Sequence, residues 1–108
     1  MLYSENIAIG LEQPEVNTLV TGKFVLEVTE DAERDRHLTV TVELAPGLRG
    51  SDEMAQAIGR SILAQLRRLN SEFANYVPPA KQPPVVHLRE TGDPDYFPPG
   101  AKHRYTRG

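Results

Sequence analysis

The stretch Leu38-Thr39-Val40-Thr41-Val42-Glu43-Leu44-Ala45-Pro46-Gly47 decides how this chain folds. Leu38, Val40, Val42 and Leu44 alternate with Thr39, Thr41 and Glu43, the period of two that gives a strand one apolar face. Ala45-Pro46-Gly47 stops it. Ser51 is then placed to cap a helix, with Asp52 and Glu53 favourable in its positive first turn. Met54, Ile58, Ile62, Leu66, Leu69 and Phe73 follow at intervals of 4, 4, 4, 3 and 4, one continuous stripe along that helix. Arg67 and Arg68 lie toward its negative end. The stripe reads as core packed on the strand, not as a cofactor or partner groove. Gly59 interrupts it at a cost of about 1 kcal/mol against alanine, which predicts a close crossing of a strand at that point.

Working outward, Phe24, Leu26 and Val28 mark a second strand with one apolar face, and the polar residues 30–36 suit the hairpin connection between the two. Ahead of it, Ser4 with Glu5 can start a short helix whose Ile7 and Leu11 share a face, and Gln13-Pro14 ends it. Met1 to Tyr3 add a truncated strand at the front. After Tyr76 the character changes, because seven of the nine prolines fall in residues 78–108. Only Val85 to Leu88 and Ala101 to Thr106 remain able to pair as strands, with Thr91-Gly92-Asp93-Pro94 as a turn. The order helix, strand, strand, long helix, strand, short strand predicts an α+β fold. Its simplest form is a small ferredoxin-like sandwich, an antiparallel sheet with two helices packed on one face, filling residues 1–108 as a single domain.

The bulk numbers agree with one modest core: 108 residues, 39% hydrophobic and 25% charged. Without cysteine there is no disulfide, no thiolate nucleophile and no cysteine-held zinc. His37, His87 and His103 are scattered, so no metal is expected, and His87 reads as a structural or surface residue. No apolar run approaches a membrane span and no signal segment opens the chain, so a cytoplasmic protein is expected, with no membrane partner. The net charge of −3 is unevenly spread: residues 1–59 sum to −7 and residues 60–108 to +4. Lys102, Arg104 and Arg107 crowd the last eight residues with no acid among them. Such an excess attracts anions, although charge alone favours the plainer reading of a solvated basic tail. The negative total and the lack of an aromatic-and-basic platform argue against a nucleic-acid partner.

Phosphate-loop, nucleophile-elbow and zinc-helix motifs are missing. One segment stands out: Tyr96-Phe97-Pro98-Pro99-Gly100-Ala101-Lys102-His103-Arg104-Tyr105. Two prolines stiffen the approach and Gly100 lets it turn, and Lys-x-Arg sets two cations on one side of a strand. A primary ammonium on a stiff loop suits a developing phosphate charge. The segment resembles the C-terminal signature of adenylate-forming enzymes of the phenylacetate–coenzyme A ligase type, in which a Gly-Lys-x-Arg-like stretch closes a small C-terminal domain. Leu2-Tyr3-Ser4-Glu5-Asn6-Ile7 is similar to that family's segment after the interdomain hinge. The two strands, with Glu43-Leu44-Ala45-Pro46-Gly47, fall where the family has its hairpin, and the Met54–Phe73 helix takes the family's position. The resemblance covers nearly the whole chain. One departure is visible: Gly100 stands one residue further from Lys102 than in the usual Gly-Lys pair.

The resemblance implies a mobile C-terminal lid whose N-terminal adenylation domain, with every ATP- and substrate-binding motif, would precede Met1. It implies ATP with Mg2+ and coenzyme A as requirements of the full-length parent, none of them bound by this domain alone, and a small carboxylic acid as substrate. Lys102 would be the catalytic residue, with Gly100, His103 and Arg104 in contact with phosphate. The isolated domain would be inactive and, with its docking face uncovered, could dimerise. The alternative is a freestanding ferredoxin-like binding or regulatory module that uses the basic tail for an anionic ligand or a protein partner.

Overall fold

Ser4 to Leu11 form the first helix, α1, with Glu5 in its first turn and Ile7 and Leu11 buried. It ends where the Ile9 carbonyl accepts the Gln13 side chain at 2.9 Å and the Glu12 N–H at 3.2 Å, in place of a continued helical bond. The computed structural model describes residues 4–30, 36–76, 82–98 and 106–107. The expected strand at Met1 to Tyr3 and the middle of the hairpin connection lie outside these.

Strand β1 (Val20–Glu30) pairs antiparallel with β2 (Arg36–Leu44), with Phe24 opposite Val42, Leu26 opposite Val40 and Val28 opposite Leu38. β1 begins four residues earlier than Phe24, and its register shifts between Val20 and Phe24, where Gly22 has a φ of 97°. That left-handed backbone is one glycine adopts without strain, and it lets the strand bulge. Leu38, Val40, Val42 and Leu44 are all buried, as the alternation requires. β1 is less regular: Val28 is 45% exposed near the hairpin end, whereas Val25, on the other face, is buried.

Helix α2 (Asp52–Leu69) starts at Ser51, whose hydroxyl accepts the Met54 N–H at 3.2 Å. Ile58, Ile62 and Leu66 are fully buried against the sheet. The stripe does not run on as one helix to Phe73. Asn70 leaves helical geometry, and its side-chain oxygen accepts the Phe73 N–H at 3.0 Å, which caps a separate short helix, α3 (Ser71–Tyr76). Leu69, at the break, is 41% exposed, while Phe73 is buried. The α1 and α2 backbones touch closely. A Cβ on Gly10 would lie 2.8 Å from the Ile62 Cα, and the Ser61 hydroxyl donates to the Gly10 carbonyl at 2.6 Å.

β3 (Val85–Arg89) pairs with β2, and β4 (Thr106–Arg107) pairs with β1, giving the order β3-β2-β1-β4. The α+β sandwich with both main helices on one face is therefore the architecture, of ferredoxin-like type. The antiparallel expectation holds only for the central pair, because both outer strands run parallel to their neighbours. The length of α2 explains β3. At 18 residues it is roughly 27 Å long, enough to carry the chain back to where β2 began, and a crossover of that kind delivers a parallel strand. One core results, joining Ile7, Leu11 and Val16 to Phe24, Val40, Val42, Ile58, Ile62 and Phe73.

Gly59 corrects a second expectation. A Cβ there would meet Val86 Cγ2 of β3 at 3.5 Å, an ordinary contact. A strand does lie beneath this glycine, but not near enough to demand it.

Candidate functional site

Gly100, Lys102, His103 and Arg104 lie outside the described residues. What the structure shows is how the chain is held just before and just after them.

The upstream anchor starts from a buried carboxylate. Glu43 alternates with Val42 and Leu44, so its side chain falls on the sheet face away from the helices, yet it is only 4% exposed. A carboxylate removed from water is costly unless its oxygens are bonded. Here the Thr21 hydroxyl donates to Oε1 at 2.7 Å and the Gly92 N–H donates to Oε2 at 2.9 Å. One side chain thus ties the start of β1 and the end of β2 to the turn after β3. The Thr91 hydroxyl adds a bond to the Leu44 carbonyl at 2.5 Å. Gly92 has a φ of 77°, which turns its N–H toward Glu43 at no steric cost.

Asp93 organises the next turn. Its Oδ1 accepts the N–H groups of Asp95 and Tyr96, both at 3.0 Å, and its carbonyl accepts the Phe97 N–H at 2.7 Å. Aspartate is suited to this local bonding, which replaces a strand ladder with a turn. The Arg89 guanidinium meets Asp93 at 3.5 Å and lies 5.0 Å from the centre of the Tyr96 ring. The ion pair is long and Arg89 is 42% exposed, so the stacking and the buried Phe97 hold this turn more than the charge does. The outcome is that Tyr96 and Phe97, which open the tail segment, are held against the domain.

The downstream anchor is β4. Thr106 stands opposite Leu26 and Arg107 opposite Glu27, so the chain re-enters the sheet at the outer edge of β1. Residues 99–105 therefore join two held points, the Phe97 turn and the β1 edge.

The sequence revealed the tail and the turn, but not the side chains that fix them. Glu43 and Asp93 read as an ordinary strand residue and an ordinary turn residue, and Thr21 falls ahead of the strand marked by Phe24, Leu26 and Val28. Glu43 carried a faint signal as the one charged side chain in the alternating run Leu38–Leu44, whose other polar positions are threonines. His87 is exposed on β3. Among the described residues no group of three or more His, Asp or Glu is placed to hold a metal ion, and no helix is long and apolar enough to cross a membrane.

No protein-family model matches the chain, and no curated protein matches it. A solved structure does. The chain is similar to a domain of phenylacetate-coenzyme A ligase from Bacteroides vulgatus ATCC 8482, with 22% sequence identity and a TM-score of 0.54, over 95% of this chain and 78% of that one. The chain has the fold of a domain of such a ligase.

Proposed function

We propose that this chain is the mobile C-terminal lid of an ATP-dependent, acyl-adenylate-forming ligase and that Lys102 is its catalytic residue. The observation that carries the reading is the shared fold, which spans 95% of the chain rather than a local motif. The two anchors around residues 99–105 support it, since a catalytic side chain on a lid must be presented from a fixed base.

In this reading a carboxylate oxygen of the acid attacks the α-phosphorus of ATP, and the bond to pyrophosphate breaks. Negative charge concentrates on the oxygens between the two reactants. The Lys102 ammonium bridges the carboxylate and α-phosphate oxygens there, a contact that strengthens as charge develops. Gly100 lets the backbone approach, and His103 and Arg104 steady the phosphate or the loop. In the second step the thiol of coenzyme A attacks the acyl carbon and AMP departs, after the lid has turned a different face to the active site. The partner is the N-terminal adenylation domain, and the substrate is a small carboxylic acid that this domain selects.

The test begins with the native polypeptide, detected in source-cell extract by an antibody against this domain. A species several times heavier than 12.0 kDa that catalyses acid-dependent exchange of pyrophosphate into ATP supports the lid. A species of 12.0 kDa, with no ligase binding it, makes the chain a freestanding binding module instead.

A further inference from the structure

The Glu43 side chain is longer than its place on the sheet requires. Thr39 and Thr41 fill the preceding positions on the face away from the helices, where Val25 stands opposite Thr41 and both are buried. A third threonine would continue that face with a side chain well suited to a strand. Glu43 instead buries a carboxyl group there, which is costly unless its oxygens find donors. Both do, and the donors come from two elements: Thr21 from the start of β1, and Gly92 from the turn that leads to Phe97. That turn is suited to the bond, because the positive φ at Gly92 is backbone that glycine adopts freely. Phe97 follows five residues later and is buried. Lys102 stands five residues beyond Phe97 and four before Thr106.

We propose that Glu43 is a positioning residue for the adenylation step: by accepting the Gly92 N–H it fixes the turn that holds Tyr96 and Phe97, and so sets where the span to Lys102 begins. The proposal rests on the lid reading and adds to it a residue that acts only through the chain. The span that carries Lys102 runs between buried Phe97 and β4. When a span is held at both ends, its middle follows roughly half of any shift at one end, and misplacing a reacting group by about 1 Å can cost about 10²-fold in rate. Asp93 and Arg89 bond within the turn and to its own strand, so they shape the turn without tying it to β2. Without Glu43 the tie to β2 among these bonds is left to the Thr91 hydroxyl on the Leu44 carbonyl. Glutamine preserves the arrangement, since its oxygen can accept from Gly92 while its amide donates to the Thr21 hydroxyl oxygen. Alanine and threonine are too short to reach.

The test uses the ligase polypeptide that carries this chain, with Glu43→Ala, Glu43→Gln, Lys102→Ala and the Glu43→Ala/Lys102→Ala pair. Circular dichroism at the assay temperature confirms that each is folded. Glu43→Thr, which matches Thr39 and Thr41, takes the place of Glu43→Ala if the alanine variant does not fold. Two half-reactions are measured separately: acid-dependent exchange of pyrophosphate into ATP, and thioester formation from ready-made acyl-adenylate. Glu43→Ala should lower kcat for exchange by about tenfold to a hundredfold, with KM for acid and ATP and the thioester step nearly unchanged. Glu43→Gln should recover much of the exchange rate. Added to Lys102→Ala, Glu43→Ala should cause little further fall, because both act through one group. A merely structural role would slow both half-reactions alike. That result, or a full further fall in the paired variant, would overturn the proposal. Exchange slowed by Lys102→Ala but not by Glu43→Ala would overturn it and leave the lid reading standing. Exchange indifferent to Lys102→Ala, or the lack of any ligase that carries the chain, would overturn both.

Discussion

The Glu43 carboxylate accepts the Gly92 backbone N–H at 2.9 Å, bridging the end of β2 to a turn 49 residues further along the chain. The other oxygen accepts the Thr21 hydroxyl, so each oxygen of the buried side chain has a donor, the two coming from different elements. Glu43→Ala leaves both donors without their partner. It should lower unfolding free energy by about 1–3 kcal/mol in urea denaturation. Glu43→Gln keeps an acceptor and should recover part of the loss. Hydrogen exchange at the Gly92 amide separates a local effect from a global one, since it should rise most in Glu43→Ala.

Gly10 and Gly59 both interrupt helices and should respond to alanine in opposite directions. A Cβ on Gly10 would lie 2.8 Å from the Ile62 backbone, so α1 and α2 must separate. Gly10→Ala should cost about 1–3 kcal/mol by overpacking. Gly59→Ala adds a Cβ at 3.5 Å from Val86 and should stabilise the chain by up to about 1 kcal/mol. Thermal melts of the two single variants check both signs.

Asn70 ends one helix and begins the next. Its side-chain oxygen caps α3 through Phe73, and its side-chain amide donates to Asn6 Oδ1 at 3.2 Å, tying the junction to α1. Asn70→Ala should cost about 0.5–2 kcal/mol, the range for a lost cap. Asn70→Asp keeps the acceptor that caps Phe73 and should cost less, measured by the same denaturation.

What the sequence made legible follows from periodicity. Leu38 to Leu44 and Ile58, Ile62 and Leu66 repeat at 2 and near 3.6, and each buries where its repeat demands. The ends of the stripe were less legible. Leu69 fits the spacing but falls at the Asn70 cap, and a cap competes with helix continuation through a single side-chain bond that spacing does not register. Strand direction was legible only indirectly, because parallel pairing follows from the span of the helix between β2 and β3 and the composition of β3 does not register it. The far face of the sheet was the larger omission. Thr41 and Glu43 read as solvent-facing polar residues, yet both are buried. The turn that bonds Glu43 lies more than forty residues away in sequence. For the candidate site, the sequence supplied Lys102 and its neighbours and the structure supplied the anchors at Phe97 and Thr106.

The measurement that tests the central claim most directly is pyrophosphate exchange by the native ligase polypeptide carrying Lys102→Ala, assayed beside the unaltered polypeptide with the same acid. Losing one preorganised donor to the transition state predicts a fall of about 10²–10³ in the adenylation rate. Thioester formation from acyl-adenylate supplied ready-made should be far less affected. An exchange rate left unchanged by Lys102→Ala would contradict the account.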